Sequence, residues 1–165
     1  MTRLKFGIIV TFIFSVGVLS SCSGADSSNV NAGSNAANQS ALDPKKGNDS
    51  AEELGSLVQL PFEPEEVTWR ATDLDGKKRL VAVVLLTEAD HRTFSAKHGA
   101  MGNDVQVNVE PWFPVELVTM GETSGENTIG GKASPAMEFY QPPYTGGSVI
   151  FIPDTNYLIL DLQSG

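Results

Sequence analysis

Apolar and polar residues alternate from Glu66 to Thr72, a pattern typical of a half-buried strand. Residues 73–76 predict a tight turn, because their Asp-Gly pair adopts positive φ at low cost. A second strand should follow at residues 79–86. Since residues 80–86 are apolar on both faces, we expect this strand to be central in its sheet and covered from both sides.

A helix is predicted after this strand. Thr87 can cap its N-terminus, and the acidic Glu88 and Asp90 lie near the positive end of its dipole. The helix should end at about His98, because Gly99 suits the left-handed conformation that commonly follows a helix.

The rest of the chain contains three further β-rich runs, at residues 104–110, 148–152 and 157–162. The last two should form a hairpin. Proline and glycine are frequent from Pro111 to Tyr144, so loops are expected there, with short helical turns near residues 115–118 and after Ser134-Pro135. These elements predict an α+β fold with one principal helix and a mainly antiparallel sheet of about five strands.

The segment before this domain has a different composition. Of the 28 residues from Ser23 to Ser50, 19 are Ser, Asn, Gly or Ala, and none is aromatic. Such a segment buries too little apolar surface to offset its chain entropy, which predicts a flexible tether. The expected organisation is a leader at residues 1–21, a tether at 22–55 and a single domain at 56–165.

The leader has the pattern of a secretory signal peptide. Two basic residues, Arg3 and Lys5, precede an uncharged apolar run from Phe6 to Leu19, which is too short to span a membrane comfortably. The sequence Leu19-Ser20-Ser21-Cys22 resembles the lipobox of bacterial lipoproteins, and this resemblance covers residues 1–22 only. An ordinary signal peptide with an incidental cysteine is the alternative.

The lipobox resemblance implies that a diacylglyceryl group is transferred to the Cys22 thiol and that the chain is cleaved before Cys22. It also implies acylation of the new N-terminus, for instance with palmitate. Several acyl chains anchor a protein stably to a membrane. We therefore expect an extracytoplasmic protein held on a membrane at Cys22. Ser23 favours the outer membrane where the host has one, and otherwise the outer face of the cell membrane is expected.

Charge and cysteine content exclude several classes of protein. With 20 acidic and 11 basic residues, the net charge is −9. Because nucleic-acid binding needs clustered Lys and Arg, no nucleic-acid partner is expected. The single cysteine excludes an internal disulfide and a multi-cysteine zinc site.

The candidate catalytic groups are few. His91 and His98 are seven residues apart on the predicted helix, too distant for joint binding of one metal ion, and they should flank Phe94 at the edge of a packed face. Glu110 lies next to the aromatic Trp112, an arrangement that can raise a carboxyl pKa. We predict no metal site, no cofactor and no catalytic residue.

Aromatic residues stiffened by prolines form the candidate binding surface, which consists of Trp112, Phe113, Tyr140 and Tyr144. Packing of these rings against the open end of the sheet is the alternative.

Three functional hypotheses remain. The first is a non-catalytic envelope lipoprotein that binds an envelope protein or a wall component. The second is an extracytoplasmic hydrolase that uses Glu110 or one of the histidines. The third is an anchored inhibitor or immunity-type protein whose acidic surface matches a basic target.

Overall fold

The computed structural model describes residue 43 and residues 45–98 and 102–165. In this part of the chain there are six strands, namely β1 (Glu66–Leu74), β2 (Lys77–Leu85), β3 (Asn103–Asn108), β4 (Thr128–Pro135), β5 (Tyr144–Phe151) and β6 (Tyr157–Ser164). The same part contains three α-helices, α1 (Ala51–Leu57), α2 (Glu88–His98) and α3 (Val115–Ser124), and a 3-10 turn at Met137–Phe139.

The strands form one sheet in the order β1-β2-β6-β5-β4-β3, and all neighbouring strands are antiparallel. The predicted α+β class is confirmed, with six strands in place of about five. The described residues contain no helix long and apolar enough to cross a membrane.

Two hydrophobic cores lie on opposite faces of the sheet. Helices α1 and α2 and the 3-10 turn cover the first face, where Leu54, Phe94 and Phe139 pack on alternate residues of β2 and β6. Helix α3 covers part of the second face, where Leu117 packs with Ile129 and Ile159. Strand β2 contributes side chains to both cores, as its apolar character on both faces predicts.

The elements with clear turn and capping signals are confirmed. β1 and β2 form a hairpin whose turn residues Asp75 and Gly76 have positive φ. The Thr87 hydroxyl accepts a hydrogen bond from the backbone N–H of Asp90 at 3.1 Å, so it caps α2 as predicted. β5 and β6 form the expected C-terminal hairpin. Gly99 lies outside the described residues.

The structured region begins earlier than the predicted boundary at residue 56, so the extent of the tether was wrong. Helix α1 begins within the predicted tether, and its Leu54 is fully buried in the first core. The Ser50 hydroxyl accepts a hydrogen bond from the Glu53 N–H, which caps this helix. Before it, the backbone of Asn48 pairs with that of Trp69 at the edge of β1. One buried leucine and contacts to β1 therefore stabilise a segment whose average composition predicts no ordered structure.

The stretch from Pro111 to Tyr144 is more ordered than predicted. The helical turn expected at residues 115–118 is the first part of α3, which continues to Ser124. Strand β4 was missed because its two consecutive glycines, Gly130 and Gly131, have low β-propensity. Ser134-Pro135 ends this strand, and the short helical turn expected after it is the 3-10 turn at Met137–Phe139.

Replacement of Leu54 by alanine tests the new domain boundary. We expect Leu54→Ala to lower the free energy of unfolding by about 2–5 kcal/mol, the usual cost of truncating a buried leucine. Leu74→Ala is the matched control, because Leu74 is 73% exposed and its truncation should change stability by no more than about 0.5 kcal/mol. Urea denaturation measures both values. Equal effects of the two substitutions would show that α1 is not part of the domain.

Candidate functional site

The second face of the sheet is only partly covered by α3, and the uncovered part forms a cleft of about 390 Å³. Its floor consists of apolar residues from three neighbouring strands, the half-buried Val81 and the nearly buried Ile150 and Ile159. One wall is the loop that follows β3, with Glu110, Trp112 and Phe113. We call this space the second-face cleft.

Bending of the sheet brings distant strands together around the second-face cleft. Residues of β3 line it together with residues of β1, although these are the two outermost strands. β4 pairs with β5 only from Lys132 to Pro135, whereas its earlier residues pair with β3 alone. Gly131 lies at this divergence. A Cβ atom there would be 2.6 Å from Ile150 Cγ2, so a larger residue would push the strands apart.

An ion pair lies on the sheet surface within the cleft. The Arg79 guanidinium donates from Nε and Nη to the two carboxylate oxygens of Asp161, at 2.8 and 2.9 Å. This hydrogen bonding to Asp161 raises the pKa of Arg79. The side chains are 56% and 28% exposed, respectively, so the bidentate geometry fixes their orientation more than it stabilises the fold.

Arg70 connects the cleft wall to the segment that precedes α1. Its guanidinium donates hydrogen bonds to the backbone carbonyls of Lys46, at 2.6 and 3.2 Å, and of Asp43, at 2.5 Å. Its central carbon lies 5.4 Å from the ring centroid of Trp112, within the range of a cation–π interaction. Trp112 also packs edge-to-face on Phe113, with 4.7 Å between the ring centroids. The wall is therefore a continuous stack of Arg70, Trp112 and Phe113.

The four aromatic residues of the predicted binding surface are divided between the two faces of the sheet. Trp112 and Phe113 line the second-face cleft, but each is only 6% exposed. Tyr140 and Tyr144 belong to the first core. The Tyr140 hydroxyl donates to the carbonyl of Gly147 at 3.1 Å, and burial raises the pKa of Tyr144. The four residues therefore do not form one continuous surface, and their positions are those expected if the rings pack against the sheet.

The predicted carboxylate and histidine candidates lie on opposite faces. Glu110 is exposed at the rim of the second-face cleft, whereas both histidines flank the buried Phe94 of α2 on the first face. The His98 ring is 4.5 Å from the Phe94 ring, and its Nε2 is 3.5 Å from a Glu138 carboxylate oxygen. Glu138 and the histidines thus cannot act on a ligand bound beside Glu110.

The pKa values of Tyr157 and Glu138 are also shifted. Burial raises the pKa of Tyr157 to about 12, and its hydroxyl donates to Glu116 at 3.3 Å. The bond to Lys97 lowers the pKa of Glu138. Within residues 45–98 and 102–165, no group of three or more His, Cys, Asp or Glu residues is close enough to hold a metal ion.

Three cleft residues, Arg70, Arg79 and Asp161, were not predicted from the sequence. Asp161 carries a usable signal, because it is the only charged residue in the apolar run 157–162. Arg70 lies between apolar strand residues and Arg79 ends the basic run that begins at Lys77, so both look like ordinary solvent-facing residues. Cys22 lies outside the described residues.

Comparisons of this chain with protein-family models, with curated proteins and with solved structures give no match.

The burial of His91 predicts a pH dependence of stability. Burial lowers the pKa of His91, so the unfolded chain takes up a proton at a higher pH than the folded chain does. The contribution of the neutral His91 ring to the free energy of unfolding is therefore complete above the ordinary histidine pKa of about 6.5. It is lost as the pH falls below that value. We expect the free energy of unfolding to decrease from about pH 7.5 to 5.5, and to decrease less in His91→Gln. Urea denaturation at several pH values measures the free energy of unfolding. An equal decrease with falling pH in the parent and in His91→Gln would contradict this assignment.

Proposed function

We propose that this protein is an envelope lipoprotein, anchored by lipid at Cys22 outside the cytoplasm, whose domain is a non-catalytic binding module. The observation that carries the binding role is the second-face cleft, where charged side chains surround an apolar floor on an otherwise covered sheet. Concave clefts in which polar groups converge beside apolar side chains are the usual form of ligand sites. The partner is an envelope protein or a wall component.

The arrangement of the carboxylates favours binding over hydrolysis. A general acid such as that of a glycosidase needs an apolar environment that raises its pKa, whereas Glu110 is exposed to water. The second carboxylate, Asp161, is held by both of its oxygens in the ion pair with Arg79. Neither carboxylate has the surroundings that acid–base catalysis at this site would require.

The lipid anchor is tested by replacing Cys22. We expect Cys22→Ala to abolish labelling with a palmitate analogue, because the thiol is the acceptor of the diacylglyceryl group. A form that begins at Ser23 behind a non-lipoprotein signal should be released from membranes. Ser23→Ala serves as the control and should still be labelled. Labelling of Cys22→Ala, or membrane association of the Ser23 form after a high-salt wash, would contradict the anchor.

The binding role is tested by filling the cleft. Thr72 is an exposed cleft residue, so we expect Thr72→Trp to fold and to block the cleft. Thr119→Trp places the same side chain on the exposed surface of α3 as a control. The chain from Ser23, immobilised and mixed with envelope extract, should retain a component that Thr119→Trp also retains and Thr72→Trp loses. Retention by all three forms would show that binding does not use the cleft.

A further inference from the structure

The charges within the second-face cleft balance one another. Two guanidinium groups, of Arg70 and Arg79, face two carboxylates, of Glu110 and Asp161. Arg79 and Asp161 neutralise each other directly. An anionic or a cationic ligand would meet a repelling charge beside every attracting one, which costs binding energy. The cleft is therefore suited to a ligand without net charge, although the chain as a whole is acidic.

The polar groups of the cleft offer hydrogen-bond donors and acceptors side by side. The bidentate pair uses Nε and one terminal nitrogen of Arg79, which leaves N–H groups of its other terminal nitrogen, and each Asp161 oxygen retains a second lone pair. At the rim, the exposed amides of Gln106 and Asn108 can each donate and accept. A ligand that matches this lining must itself donate and accept at neighbouring atoms, as hydroxyl groups do.

The apolar part of the cleft lies directly beside these polar groups. The floor residues Val81 and Ile159 are adjacent on the sheet to Arg79 and Asp161. A volume of about 390 Å³ falls near the lower end of the range for small-molecule sites, roughly 300–1,000 Å³. The ligand should thus be compact, with a ring of hydroxyl groups around an apolar face.

These features describe a sugar ring, whose hydroxyl groups lie at its edge and whose C–H groups form its faces. We infer that the second-face cleft binds a neutral mono- or disaccharide unit, with hydroxyl groups on the Arg79–Asp161 pair and on Glu110 and C–H groups on the apolar floor. This inference rests on the proposed binding function and specifies its ligand. The Trp112 ring is covered by Arg70 and serves as a wall, not as a stacking platform.

Calorimetric titration of the chain from Ser23 tests this inference with three neutral probes: N,N′-diacetylchitobiose, cellobiose and maltose. We expect at least one probe to bind. Because a hydrogen bond to a charged group is worth more than one to a neutral group, Glu110→Gln and Asp161→Asn should each weaken its binding by about tenfold. Glu126→Gln removes an exposed carboxylate outside the cleft and should leave binding unchanged. Thermal unfolding of each variant establishes that it is folded, and Glu110→Gln carries the test if Asp161→Asn is not.

Three results would overturn the saccharide assignment. They are the absence of binding by all three probes, equal binding by the Glu110→Gln variant, and binding of the zwitterionic dipeptide alanyl-alanine in place of the sugars. None of these would affect lipid labelling at Cys22 or the loss of an envelope component in Thr72→Trp, which test the proposed function separately. Cleavage of a bound disaccharide would have the opposite meaning, since it would support the ligand and contradict the non-catalytic role.

Discussion

The pairing of β2 with β6 is the contact on which the rest of the structure depends. It joins residues about 80 positions apart in the chain, from Arg79 opposite Gln163 to Leu85 opposite Tyr157. Side chains of both strands alternate between the two faces, so this one ladder provides the centre of both hydrophobic cores. Neither layer of helices would have a surface to pack against without it.

The second-face cleft arises from a change of residue type along this same ladder. On the second face, β2 and β6 present Val83 and Ile159 in the buried core, and nearer the β1–β2 turn they present Arg79 and Asp161. Burying the latter pair beneath α3 would remove two charges from water, a cost that their mutual attraction seldom repays. The exposure of this part of the sheet is therefore a consequence of its sequence.

Sequence patterns predicted the elements whose signals are local. The Asp75-Gly76 turn and the Thr87 cap depend on a few adjacent residues, and both are where they were expected. Helix α1 and strand β4 depend on distant partners instead. Leu54 is helical and buried because the sheet is there to receive it, and Gly131 is in a strand because Ile150 approaches closely. Propensity in a short window does not contain that information.

The candidate site was less predictable than the fold for the same reason. Glu110 and Trp112 are neighbours in the chain and were recognised together, whereas Arg79 and Asp161 are brought together only by the register of β2 on β6. Tyr140 and Tyr144 are aromatic residues near prolines, as Trp112 is, yet they lie on the opposite face of the sheet from it. Which face a side chain occupies is determined by strand register, and a sequence without known strand partners leaves that register open.

For the proposed binding function, the hydrogen bonds already present in the cleft would determine how a ligand is held. The Arg79–Asp161 pair and the bonds from Arg70 to the carbonyls of Lys46 and Asp43 hold these side chains in place before a ligand arrives. Preorganised groups lose little side-chain entropy on binding, so they contribute to specificity at low cost. The rim residues Gln106 and Glu110 are exposed, so they adapt their side chains to the ligand more readily than the ion pair does. Discrimination among ligands should therefore come from the ion pair on the sheet, and the rim should mainly adjust affinity.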